Sequence, residues 1–131
     1  MKTFRITTLF LFLIPFAAGV HAQTTELTFS VNLKPQLQDS TFVPGRDQLV
    51  LVGNLPPING LNPYFLVDEI PVDSIYSVTV RFPSRLRNQE LTYNFEMTTN
   101  GRKQTELMPR AVKLLGREIE LDALYFNAFA W

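Results

Sequence analysis

Leu27-Thr28-Phe29-Ser30-Val31-Asn32-Leu33 is the stretch on which the fold turns. Its apolar residues occupy every second position, which in an extended chain puts Leu27, Phe29, Val31 and Leu33 on one face and Thr28, Ser30 and Asn32 on the other. The same alternation returns at Tyr76, Val78, Val80 and Phe82 within residues 74–82, and at Leu91, Tyr93, Phe95 and Met97 within residues 90–98. Each segment predicts a strand with one face in a core and one in water.

Working outward, residues 48–52 form a short apolar, β-branched run ended by Gly53-Asn54, which predicts a central strand buried on both faces. Residues 111–115 and 118–123 flank Gly116, and residues 124–131, apolar on both faces, read as the last strand. Turn chemistry falls between these runs: Pro44-Gly45, the proline- and glycine-bearing loop from Asn54 to Pro63, the stretch from Pro83 to Asn88, and Asn100-Gly101, the clearest hairpin signal. About seven short strands without a helix of useful length predict an all-β fold, an immunoglobulin-like antiparallel β-sandwich, with a small barrel as the alternative.

The first 22 residues read differently. Lys2 and Arg5, the apolar run from Leu9 to Phe16 and the small-residue site Val20-His21-Ala22 form the pattern of a cleaved secretory signal peptide. The run is broken by Pro15 and falls short of the about 20 apolar residues that span a bilayer. Cleavage before Gln23 leaves residues 23–131 as one domain, exported to the periplasm or the medium, with no membrane insertion after cleavage. Its 10 basic and 12 acidic residues give a formal charge of −2 without the basic stripe that nucleic acid requires.

The chain has no cysteine, and its one histidine, His21, leaves with the leader. Disulfides, thiol nucleophiles, histidine triads and most zinc chemistry are thereby removed, so stability must come from a core and the expectation moves from enzyme to binding module. No cofactor is expected. Glu118, Glu120 and Asp122 would share one strand face, but glycosidic hydrolysis needs carboxylates opposed across a cleft about 5–9.5 Å wide, so a solvated face is the expectation. Asp68, Glu69 and Asp73 lack the spacing of a calcium loop. Arg81, Arg85, Arg87, Arg102 and Lys103 read as solvated turn charges.

One family resemblance covers essentially all of residues 23–131. It is carried by 27–33, by Leu49-Val50-Leu51-Val52-Gly53-Asn54, by Leu61-Asn62-Pro63, and by Asp73-Ser74-Ile75-Tyr76-Ser77-Val78-Thr79-Val80. Leu91-Thr92-Tyr93-Asn94-Phe95, Glu106-Leu107-Met108-Pro109-Arg110 and Leu124-Tyr125-Phe126-Asn127 complete it. In this order the chain resembles the starch-binding-domain-like sandwich of family-20 carbohydrate-binding modules and related modules of exported bacterial proteins. The resemblance implies a noncatalytic module that docks glucan chains on exposed aromatic rings, with Arg110 as a structural pairing residue. Where such modules usually carry tryptophan-asparagine-proline, this chain has Leu61-Asn62-Pro63.

A replacement ring is therefore sought nearby, since pyranose recognition uses a flat aromatic face and surrounding hydrogen bonds. Tyr64 is the better candidate, with Phe65 and Leu66 read as core or loop packing, and with Asn62, Asn54 and Asn59 as amides that either meet a sugar or bond their own turns. Trp131, the last residue, reads as core closure, a contact for another chain, or a ligand platform. The expected function is noncatalytic binding of an alpha-glucan-type polysaccharide through Asn62, Tyr64 and Trp131. The alternative is a structural or protein-docking sandwich that has lost its sugar platform and meets a protein or partner domain through the C-terminal end.

Overall fold

The computed structural model describes residues 23–128, so the proposed leader and Trp131 lie outside the described residues. Among the described residues nine strands form two sheets. In the first, β1 (Thr25–Asn32) lies between β4 (Ile75–Phe82) on one edge and β8 (Glu118–Glu120) and β9 (Leu124–Tyr125) on the other. The second is ordered β3 (Tyr64–Phe65), β2 (Gln48–Gly53), β5 (Glu90–Thr99), β6 (Arg102–Thr105), with β7 (Arg110–Lys113) beside β6 along β5. A five-residue helix, α1 (Lys34–Gln38), follows β1.

The alternation does what the sequence implies. Leu27, Phe29 and Val31 of β1 are wholly buried, and they meet Leu91, Phe95 and Met97 of β5 and Leu49 and Leu51 of β2 in one core. The Phe29 ring reaches across the layers to Tyr93, centroids 4.9 Å apart at 71°, an edge-to-face contact that ties sheet to sheet. Removing a ring such as Phe29 would cost about 3–5 kcal/mol, because the cavity left behind cannot fully collapse. An all-β sandwich is the fold.

Four details differ from the sequence reading. β2 is central, but only Leu49 and Leu51 are buried; Val50 and Val52 face a half-covered outer surface. Two strands add to the expected seven, because β3 is only two residues long and β6 is exposed throughout, so neither carries an apolar period. The antiparallel pattern holds for most ladders, whereas β8 and β9 run parallel to β1. The expected strand over 124–131 reduces to Leu124–Tyr125, followed by a turn, and residues 129–131 lie outside the described residues.

Both outer strands are interrupted. Leu121, Asp122 and Ala123 stand opposite only Phe29 and Ser30, a bulge that lets β8 and β9 share one edge of β1. On the other sheet, residues 106–109 stand opposite only Asn94 and Phe95, dividing β6 from β7. The β5–β6 hairpin turns at Asn100 and Gly101, φ 49° and 77°, the two positive dihedrals that make Asn-Gly the favoured pair there. Gly53 is demanded by space instead: a Cβ would meet Ile58 Cδ1 at 2.5 Å and the Thr92 carbonyl oxygen at 3.0 Å.

Candidate binding cleft

The segment after the Leu61-Asn62-Pro63 loop changes sheets. β3 pairs with β2 as Leu51 opposite Tyr64 and Val50 opposite Phe65, and two residues later Val67 exchanges both backbone hydrogen bonds with Ser77 of β4, at 2.9 and 3.1 Å. This register decides which ring is presented. Leu51 faces the core, so its partner Tyr64 turns inward and packs against the core, while Phe65 follows Val50 outward and is 44% exposed. The sequence reads both Phe65 and Leu66 as core or loop packing; of the two only Leu66 is buried, because the pairing turns Phe65 outward.

Phe65 stands at the wall of a cleft of about 390 Å³ between this segment and the loop before β2. Val67, Val72, Phe42, Leu37 and Tyr76 also line it, with Gln48 and Asp68 among its polar residues. Phe42 and Tyr76 pack edge to face at 5.4 Å. Burial pushes the Tyr76 phenol above its ordinary pKa, and the negative charge of Asp68 adds to that, so the hydroxyl stays protonated and able to donate at neutral pH. The loop beyond Val67 is held by Asp68, which accepts from the backbone N–H groups of Asp73 and Ser74 at 3.3 and 2.9 Å, and it carries the exposed Ile70 and Val72.

The floor of the cleft is fixed by Asp47. Its carboxylate accepts two hydrogen bonds from Arg46, both 2.8 Å, one from the Val43 N–H at 2.7 Å and one from the Asn100 N–H at 3.0 Å. The Arg46 hydrogen bonds are the largest cause holding the Asp47 carboxyl well below the usual carboxylate range; burial opposes them, and the two backbone N–H groups reinforce them. The turn before β2 is thereby tied to the β5–β6 hairpin.

The remaining sequence candidates are dispersed. Asn62 and Leu61 are exposed at the loop tip, Leu61 wholly so. Asn54 is occupied by its own fold, accepting from the Thr92 N–H at 2.9 Å. Trp131 lies outside the described residues, and Phe126, earlier in the C-terminal segment, is buried. Arg110 pairs bidentately with Glu106 at 2.9 and 2.6 Å and lies over the Phe95 ring at 5.2 Å. The basic residues read as turn charges include two that lie on strands: Arg81 of β4 meets Glu26 at 3.3 Å and Lys103 of β6 meets Glu96 at 3.9 Å. Among the described residues no group of three acids, histidines or cysteines converges as a metal site.

Sequence reasoning missed Phe65 because alternation says only that Tyr64 and Phe65 face opposite ways; the partner strand says which faces in. Set against known proteins, the chain matches no family model and no curated sequence.

Proposed function

We propose that this chain is a noncatalytic binding module of an exported protein, and that its ligand is an alpha-glucan-type polysaccharide seated on Phe65 at the mouth of the cleft. The observation that carries the reading is the outward Phe65 ring, flanked by Val67 and Val72 and near the polar Gln48 and Asp68. An exposed ring covers the apolar face of a pyranose, and neighbouring polar groups bond its hydroxyls. The sandwich fold agrees with the resemblance that suggested a glucan. Phe65 takes the place first given to Tyr64, with Asn62 on the adjoining loop and Trp131 as a further ring to test.

Calorimetric titration of the protein with soluble starch, glycogen and other glucans tests the proposal. Saturable binding is expected, abolished by Phe65→Ala and little changed by Tyr64→Phe, with Asn62→Ala and Trp131→Ala reporting the contribution of each. Absence of binding by the folded wild type to every glucan overturns it.

A second reading, a structural or protein-docking sandwich, is favoured by Val72, which lines the cleft, and Ile70 on the same loop, 78% and 94% exposed. Large apolar groups gathered on one surface mark protein contacts more often than sugar contacts. Under that reading Phe65→Ala and Ile70→Ser weaken capture of a partner chain while glucans remain silent.

A further inference from the structure

The dipeptide Asn-Gly occurs twice, at Asn59-Gly60 and at Asn100-Gly101, and the fold treats the two copies in opposite ways. Asparagine is chemically labile, and before a glycine it can react with its own backbone. The glycine nitrogen, unshielded because its residue carries no Cβ, attacks the asparagine Cγ. A carbon–nitrogen bond forms, the bond from Cγ to the side-chain amide nitrogen breaks, and ammonia leaves with the proton of the glycine N–H. Water then opens the five-membered imide at either carbonyl, giving aspartate or isoaspartate, whose backbone is one carbon longer. The first step needs the glycine nitrogen aligned on Cγ, so backbone conformation decides its rate.

Asn100-Gly101 is held away from that alignment. Both residues adopt left-handed backbone, φ 49° and 77°, at the turn of the β5–β6 hairpin. Left-handed geometry at Asn100 turns the next nitrogen to the side of the Cα–C bond opposite Cβ, out of reach of Cγ. Leaving it means opening the hairpin and breaking the 3.0 Å hydrogen bond from the Asn100 N–H to the Asp47 carboxylate.

Asn59-Gly60 carries none of these restraints. Asn59 has a negative φ. Neither its carboxamide nor the Gly60 N–H makes a hydrogen bond within the described residues. Beyond its chain neighbours, a Cβ placed on Gly60 would meet only the Pro57 carbonyl oxygen, 3.9 Å away, so the nitrogen is open to approach. The fold releases the loop just before this pair: Ile58 is buried and its carbonyl accepts from the Gly53 N–H at 3.4 Å, whereas residues 59–63 are all exposed. The nearby asparagines are spared for separate reasons. Asn62 precedes Pro63, which has no N–H, and the Asn54 amide oxygen is engaged by the Thr92 N–H.

We infer that Asn59 is a site of spontaneous modification, converting to aspartate and isoaspartate through an imide with Gly60, and that the hairpin protects Asn100 from the same reaction. The product places a negative charge in a loop, residues 54–63, that otherwise has none, close to Asn62 and outside the part anchored by Ile58. The inference does not depend on the glucan reading.

The experiment holds the folded protein in mildly alkaline buffer at physiological temperature, with a parallel sample in urea that unfolds it, and follows the amide-to-acid mass gain at each asparagine by peptide mapping. In the folded protein Asn59 should convert at least about tenfold faster than Asn100, the scale on which lost alignment slows a reaction. In urea the two should convert at similar rates. Gly60→Ala, whose methyl group shields the nitrogen, should slow Asn59 severalfold while its circular dichroism melt matches the wild type. Equal conversion of the two asparagines in the folded protein, no conversion at Asn59, or a rate at Asn59 indifferent to Gly60→Ala overturns the inference.

Discussion

Asp47 and Glu106 are built from the same parts and hold the second sheet in different ways. Each is a buried carboxylate gripped by two nitrogens of one arginine. Arg46, the partner of Asp47, keeps 48% of its side chain in solvent, whereas Arg110, the partner of Glu106, keeps 9%. Glu106 also reaches further. It stands in the interruption between β6 and β7, where its Oε1 accepts from the Phe95 N–H at 3.2 Å in place of a strand carbonyl, and its Oε2 accepts from the Asn127 N–H at 2.9 Å. Arg110 adds a hydrogen bond to the Tyr125 carbonyl, so the pair joins the edge of one sheet to the chain leaving the other. A pair with one arm in water can be repaired by water; a pair with both arms buried cannot.

The largest expected effect follows from breaking the buried pair. Glu106→Ala leaves Arg110 enclosed without its carboxylate and frees the Phe95 and Asn127 N–H groups, and should cost about 3–5 kcal/mol in urea unfolding. Replacing both partners, Glu106→Leu with Arg110→Met, should recover much of that loss, because no uncompensated charge then remains. If the double variant is no more stable than the single one, the backbone hydrogen bonds of Glu106 matter more than its charge.

Next in size is a pH effect that belongs to Asp47. Its folded pKa lies below that of an unfolded aspartate, so its stabilisation is complete above the ordinary aspartate value of about 3.9 and is lost as pH falls through the folded value. Thermal melts from pH 6 downward should show a steeper acid decline for the wild type than for Asp47→Asn, which starts lower and changes less. Parallel curves for the two proteins would remove Asp47 from the account.

The smallest effect is Arg46→Ala. Water can reach the Asp47 side from which the half-exposed guanidinium withdraws, and the Val43 and Asn100 N–H groups still bond the carboxylate. Its unfolding midpoint should therefore fall below that of the wild type, because the Arg46 hydrogen bonds are the largest cause of the lowered Asp47 pKa, yet stay above that of Glu106→Ala. A loss equal to that of Glu106→Ala would erase the distinction between the two pairs.

How much of this was readable beforehand depends on distance along the chain. β1, β4 and β5 announce themselves because alternation is a local property, and the hairpin at Asn100-Gly101 because two adjacent residues suffice to turn the chain. Arg110 stood out by its place before a late strand, but its partner Glu106 is four residues away across a bulge rather than on a helix, and no periodicity predicts a bulge. Asp47 was invisible as a pin because one of its donors, Asn100, lies 53 residues away. The candidate region was half legible: alternation puts Tyr64 and Phe65 on opposite faces, while the ring that points outward is Phe65 and not Tyr64.

By itself the sequence determined that this chain alternates, turns at glycine, proline and asparagine, and must rest on a core without disulfides. Those are consequences of side-chain order and composition, which act over a few residues. The tertiary structure decided which of two adjacent rings faces out, which carboxylates are enclosed and which stay unpaired, and that the last strands run parallel to the first. Each of those depends on pairing register between segments distant in sequence, and a shift of one residue would turn every side chain of a strand to the opposite face.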